Sequence, residues 1–92
     1  MELMKILAVC GMGFGSSMVL RMTIEAVLKE LGVNASVATS DIGMAKSETA
    51  DVIVTSSEFS KLLEDKGVPI IEIKNYVDKR EMKEKLLTVL PK

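Results

Sequence analysis

Cys10-Gly11-Met12-Gly13-Phe14-Gly15-Ser16-Ser17 is the stretch on which the reading of this chain turns. Immediately before it, Lys5-Ile6-Leu7-Ala8-Val9 is a short apolar run that reads as a buried strand, taken as Met4 to Val9. Immediately after it, Leu20, Ile24, Val27, Leu28 and Leu31 recur at helical spacing and predict a helix from Ser16 to Leu31. The single cysteine therefore stands where a strand ends, and a Gly-rich loop leads from it into a helix. Glycines in that loop permit a tight turn with φ > 0, in which successive N–H groups point into one concavity. The helix start adds unsatisfied amides and the positive end of its dipole, and Ser16 or Ser17 is suited to cap it. Such surroundings favour phosphate, and they favour a thiolate over a thiol. The expected site is Cys10 as nucleophile, with Gly11, Met12, Gly13, Phe14, Gly15, Ser16 and Ser17 as the phosphate cradle. The competing reading is a small buried cysteine beside a glycine turn of the kind that recurs in nucleotide-binding folds. A cysteine at the first loop position, with serines closing the loop, favours the nucleophile.

Composition narrows the function classes. Ninety-two residues are expected to make one small domain over 1–92, and 48% apolar with 27% charged residues describes a soluble globular protein. A net charge of −1, with lysines interspersed among acids, argues against a nucleic-acid surface. The aromatics are only Phe14, Phe59 and Tyr76, too few for a base-stacking platform. One cysteine makes no internal disulfide, and without histidine no zinc site is expected. No cofactor is expected either, and a reducing cytoplasm is the compartment that fits. The opening apolar run is too short for a signal segment and lacks a basic flank, and nothing approaches membrane-spanning length.

Along the rest of the chain, apolar runs alternate with helical patterns, which is the signature of βαβ units around a parallel sheet. Gly32 stops the first helix, and Asn34 to Ala38 alternates in the manner of an edge strand. Thr39 to Thr49 reads as a loop with at most one helical turn, and Val52 to Thr55 as an interior strand. Ser56 or Ser57 opens a short helix through Asp65, which Gly67 closes. Ile70 to Ile73 is the fourth strand, and Asp78 caps a final helix with Met82, Leu86, Val89 and Leu90 inward and Pro91 as its stop. Met18, Met22, Met44 and Met82 are expected to fill the core. Met12 and Phe14, apolar residues on an exposed loop, are expected to form a docking surface. Glu25 and Lys29 are expected to pair across one helical turn. Right-handed crossovers place the first strand centrally and give a sheet of order 2-1-3-4 with helices on both faces. Cys10 would then lie at the point where the order reverses, where ligands of open α/β sheets bind.

The run CGMGFGSSM after a first strand resembles the active-site loop of the IIB components of the bacterial sugar phosphotransferase system. It is most similar to the ascorbate-type branch, whose loop has the form C-G-x-G-x-G-S-S-M. Ile42-Gly43-Met44-Ala45-Lys46-Ser47-Glu48 and Ala50-Asp51-Val52-Ile53-Val54 resemble the same branch, so the similarity covers nearly the whole chain. It implies an α/β, three-layer fold with a phosphatase-like loop after the first strand. It implies a phosphoryl group accepted on Cys10 from the phosphohistidine of a IIA protein and passed to a sugar, ascorbate by the branch, held by a IIC membrane transporter. It also gives Lys46, Ser47 and Glu48 a possible place near the phosphate, against the plainer reading of a solvated polar loop.

A hydrolase is the alternative. Low-molecular-weight cysteine phosphatases share the topology and carry a C-x5-R loop, but here Ser16 stands where the arginine would be, and the nearest arginine is Arg21. A bidentate guanidinium is hard to replace in phosphate chemistry, and a hydrolase also needs a general acid. Asp41 and Asp78 are the two acids that would have to serve.

Overall fold

Strand β1 (Met4–Val9) runs between β2 (Ala35–Ser40) and β3 (Val52–Thr55), and β4 (Ile70–Glu72) flanks β3. All pairings are parallel and the order is β2-β1-β3-β4, as the alternation of runs predicts. The structure is a computed structural model that describes residues 4–9 and 13–89, with the side chains of 13–17 and of Glu58 outside that description. Cys10, Gly11, Met12, Leu90 and Pro91 therefore lie outside the described residues.

Side chains alternate across the sheet, and each face buries its own set. Ile6 and Ala8 of β1 join Val52, Val54 and Ile71 against helix α1 (Gly13–Leu31) and helix α4 (Lys79–Leu87), through Leu20, Ile24, Val27, Leu28, Met82 and Leu86. Leu7, Val9 and Ile53 face the other way, onto helix α2 (Ile42–Ala45) and the 3₁₀ segment Lys61–Lys66 that continues helix α3 (Ser57–Ser60). Both faces of β1 and β3 are covered, which explains their unbroken apolar runs. Strand β2 lies at the edge and is only half-buried.

Several boundaries move. Strand β2 spans Ala35–Ser40 where Asn34 to Ala38 was expected, and β4 ends at Glu72. Pairing decides these limits, because every β2 residue to Ser40 has a partner on β1 as far as Val9. Gly32 and Gly67 both adopt φ of +70°, so each ends its helix in the left-handed conformation expected of it. Helix α4 ends at Leu87, before Pro91, where Thr88 folds its hydroxyl onto the Lys85 carbonyl. On α1, Glu25 pairs backward with Arg21 at 3.4 Å in place of the expected Lys29.

Candidate functional site

The site is built where β1 and β3 end side by side, since the order reverses between them. Val9 is fully buried, and Cys10 is the next residue. Helix α1 begins at Gly13, three residues ahead of the expected Ser16. Gly13, Phe14 and Gly15 therefore form its first turn and do not extend the loop, and Ser16 and Ser17 lie within the helix, so neither caps it. The reason is local: glycine weakens a helix least at the end, where the first-turn amides have no intrahelical acceptor in any case. The amides expected from sequence to meet phosphate would then include those of a helix's first turn.

Two contacts brace this edge. Thr55, also fully buried, donates its hydroxyl to the Val9 carbonyl at 2.8 Å. Thr23, on the buried side of α1, donates to the Tyr76 carbonyl at 2.6 Å and so ties the β4–α4 connection to the helix. That connection is held in turn by Glu81, whose carboxylate accepts the Lys74 and Asn75 amides at 3.2 and 3.1 Å. The Lys85 ammonium, 2.9 Å from Glu81, holds its carboxyl below the usual range, assisted by the two amides against a desolvation cost. A carboxyl with a lowered folded-state pKa is protonated more readily in the unfolded chain. Its contribution is complete above its ordinary value of 4.5 and is lost as the pH falls below it. Glu81→Gln should therefore reduce the urea midpoint at pH 7 and flatten its decline below pH 4.5, as read from urea titrations at a series of pH values.

The acids of the hydrolase alternative are engaged elsewhere. Asp41 caps α2 by accepting the Met44 amide at 2.8 Å, and Asp78 caps α4 by accepting the Glu81 amide at 3.1 Å. Arg21 lies on the exposed face of α1 in its pair with Glu25. The backbone of Lys46 and Glu48 is held by the Lys66 ammonium, and Asp51 anchors the following turn to the Lys5 amide at 2.7 Å. Both anchors belong to the end of the sheet where strands begin, so this segment leads away from the edge that carries Cys10.

The sequence reading missed an apolar surface. Met18, Met22 and Met44 are 53%, 63% and 58% exposed, and only Met82 of the four methionines expected in the core is buried. The signal was available in the phase of α1, since 18, 22, 25 and 29 fall on one helical face opposite Leu20, Ile24 and Val27. Val19 and Met22 flank Thr23, and Val77, 64% exposed, follows the Tyr76 that Thr23 holds. Met12 and Phe14, the docking residues expected from sequence, fall outside the described side chains. A groove of about 450 Å³ along the free edge of β4 lies apart from all this, lined by Ser60, Glu64, Glu72, Lys85 and Thr88. Lys85 donates to the Glu72 carbonyl there and blunts the edge.

Comparison with known proteins agrees with this fold. The family described as PTS system, Lactose/Cellobiose specific IIB subunit, matches residues 5–88. A Mycoplasma pneumoniae protein named ascorbate-specific PTS system EIIB component is 36% identical over 91 residues, covering 92% of this chain and 93% of that one. A Shigella sonnei protein of the same name is 33% identical over 89 residues, covering 94% and 88%. Among solved structures, the lactose-specific IIB domain of Streptococcus pneumoniae superposes with a TM-score of 0.72, covering 98% of this chain and all of that one. At 15% identity, that likeness speaks for the fold alone. The cellobiose-specific IIB protein of Borrelia burgdorferi gives a TM-score of 0.58 at 29% identity, covering 96% and 88%.

Proposed function

The chain belongs to the lactose/cellobiose-type IIB family of the sugar phosphotransferase system, and from that membership we propose that it is an ascorbate-class phosphocarrier with Cys10 as its phosphorylated residue. IIB components act as phosphotransferases. The observation that carries the reading is positional: residue 10 follows the last residue of β1 at the order reversal, just ahead of the first turn of α1. The first-turn amides of a helix favour both a thiolate and phosphoryl oxygens.

In the proposed cycle, the Cys10 thiolate attacks the phosphorus of a phosphohistidine on a IIA partner. An S–P bond forms as the N–P bond breaks, and the electron pair stays on the imidazole. A hydroxyl of the sugar, held by a IIC membrane protein, then attacks the same phosphorus. The S–P bond breaks with its pair returning to sulfur, and the hydroxyl proton passes to a base outside this chain. Residues 1–92 act as one carrier domain on the cytoplasmic side of the membrane. No helix among the described residues is long and apolar enough to cross a membrane. Ascorbate as substrate is supported by the names of the relatives at 36% and 33% identity. The test is a panel of phosphorylated IIA donors of ascorbate, lactose and cellobiose type. Fastest transfer from the ascorbate-type donor is expected, and equal or preferential transfer from another would reassign the sugar class.

Met18, Val19 and Met22, exposed on the helix that follows residue 10, and Val77 supply the apolar surface that the IIA donor covers, excluding water as the complex closes. Met18→Glu and Met22→Glu should each slow phosphoryl transfer by about tenfold while changing stability by less than about 0.5 kcal/mol. Rapid-quench transfer kinetics beside a thermal melt separates the two effects. Unchanged kinetics would leave these side chains as ordinary solvent-face residues.

A further inference from the structure

We propose that Thr55 is a positioning residue for the phosphoryl-accepting thiol, acting through the Val9 carbonyl; the proposal rests on the reading of Cys10 as nucleophile. The β1–β3 register ends at the Val9–Thr55 pair, so Val9 carries the last carbonyl of the strand that delivers Cys10. That carbonyl can only accept, and the Thr55 hydroxyl donates to it at 2.8 Å with both residues fully buried. Thr55 is itself fixed from the other side, where its own carbonyl accepts the Ile73 amide at 2.9 Å. A β-branched side chain has little χ1 freedom, so the donor is held in one place. Because the peptide unit is planar, fixing the Val9 carbonyl fixes the plane in which the chain continues into residue 10. The Thr55 hydroxyl thus acts on the last carbonyl before the thiol, and through that peptide unit it would reach Cys10. Nothing else among the described residues donates a side-chain hydrogen bond to β1 at this end. Thr23 and Ser60, the other buried polar side chains among the described residues, donate to the Tyr76 carbonyl and the Glu72 carboxylate and not to β1.

The experiment compares wild type, Thr55→Val and Thr55→Ser by two readouts. The first is the pH profile of iodoacetamide alkylation, unambiguous because Cys10 is the only thiol. The second is the rate of phosphoryl uptake from a phosphohistidine donor. Thr55→Val keeps the shape and removes the donor. It should move the alkylation midpoint upward, toward that of a free thiol, and slow uptake by about ten- to a hundredfold. Thr55→Ser should recover most of both. A merely structural role would lower the melting temperature of Thr55→Val and leave the alkylation midpoint of the folded protein in place, which would overturn the proposal. If Thr55→Val does not fold in buffer, it and Thr55→Ala, which also lacks the donor, are measured in stabilising sucrose by the same criterion. If wild type takes up no phosphoryl group from any donor, the carrier reading fails, while the alkylation midpoints still decide what Thr55 does.

Discussion

Cys10→Ser should leave a folded protein that takes up no phosphoryl group. Exchanging sulfur for oxygen changes little in volume, but a serine hydroxyl is not ionised near neutral pH and is a weak nucleophile without an adjacent base. The chain contains no histidine to act as that base. Helix-terminal amides stabilise an anion already formed; they do not remove a proton. The loss should be on the order of a thousandfold or more, as when the nucleophile of a covalent mechanism is removed. Transfer of radiolabelled phosphate from a IIA phosphohistidine is the measurement. Appreciable labelling of Cys10→Ser would place the acceptor on another residue.

Ile24→Ala should be the most damaging single truncation of the framework. Ile24 is fully buried, and it packs in the cluster that joins Ile6, Ala8, Val52 and Val54 of the sheet to Met82 and Leu86 of α4. Truncation removes three methyl or methylene groups and leaves a cavity between α1 and the sheet, at a cost of about 2–5 kcal/mol. At about 0.05–0.15 kcal/mol per residue, a domain of this size has only roughly 5–14 kcal/mol in all. The urea midpoint should therefore fall steeply with the m-value unchanged, while Met22→Ala, two residues away on the exposed face, should move it little. Equal effects at the two positions would contradict the assigned phase of α1.

How far these features could be read from sequence differs by element, for physical reasons. Strand β1 and β3 limits were legible because both strands are buried on both faces and read as uninterrupted apolar runs. Gly32, Gly67 and Asp78 were legible because a left-handed stop and a side-chain cap have local chemistry. The start of α1 was not, because glycine propensity argues for a loop, although glycine costs a helix least in its first turn. The exposed methionines were misassigned because residue type was weighed above helical phase. Thr55 could not have been singled out: its partner is the Val9 carbonyl, 46 residues away, and only the strand register brings them together. The engagement of Asp78 as a cap was legible locally, that of Asp41 emerged only with the short helix α2, and both weaken the hydrolase alternative.

Carrier and hydrolase differ most in the fate of phosphorylated Cys10. A phosphatase must break its own intermediate quickly, with a positioned water and an acid–base group. Among the described residues, Asp41 and Asp78 are both held as helix caps, and Arg21 pairs with Glu25 on the exposed face of α1. The direct measurement is intact-protein mass spectrometry after incubation with a phosphorylated IIA donor, followed over time once the donor is removed. The account predicts one added phosphoryl group on wild type, persistent until an acceptor is supplied, with para-nitrophenyl phosphate barely hydrolysed by the same preparation. Rapid aryl phosphate hydrolysis with no uptake from any phosphohistidine donor would contradict it.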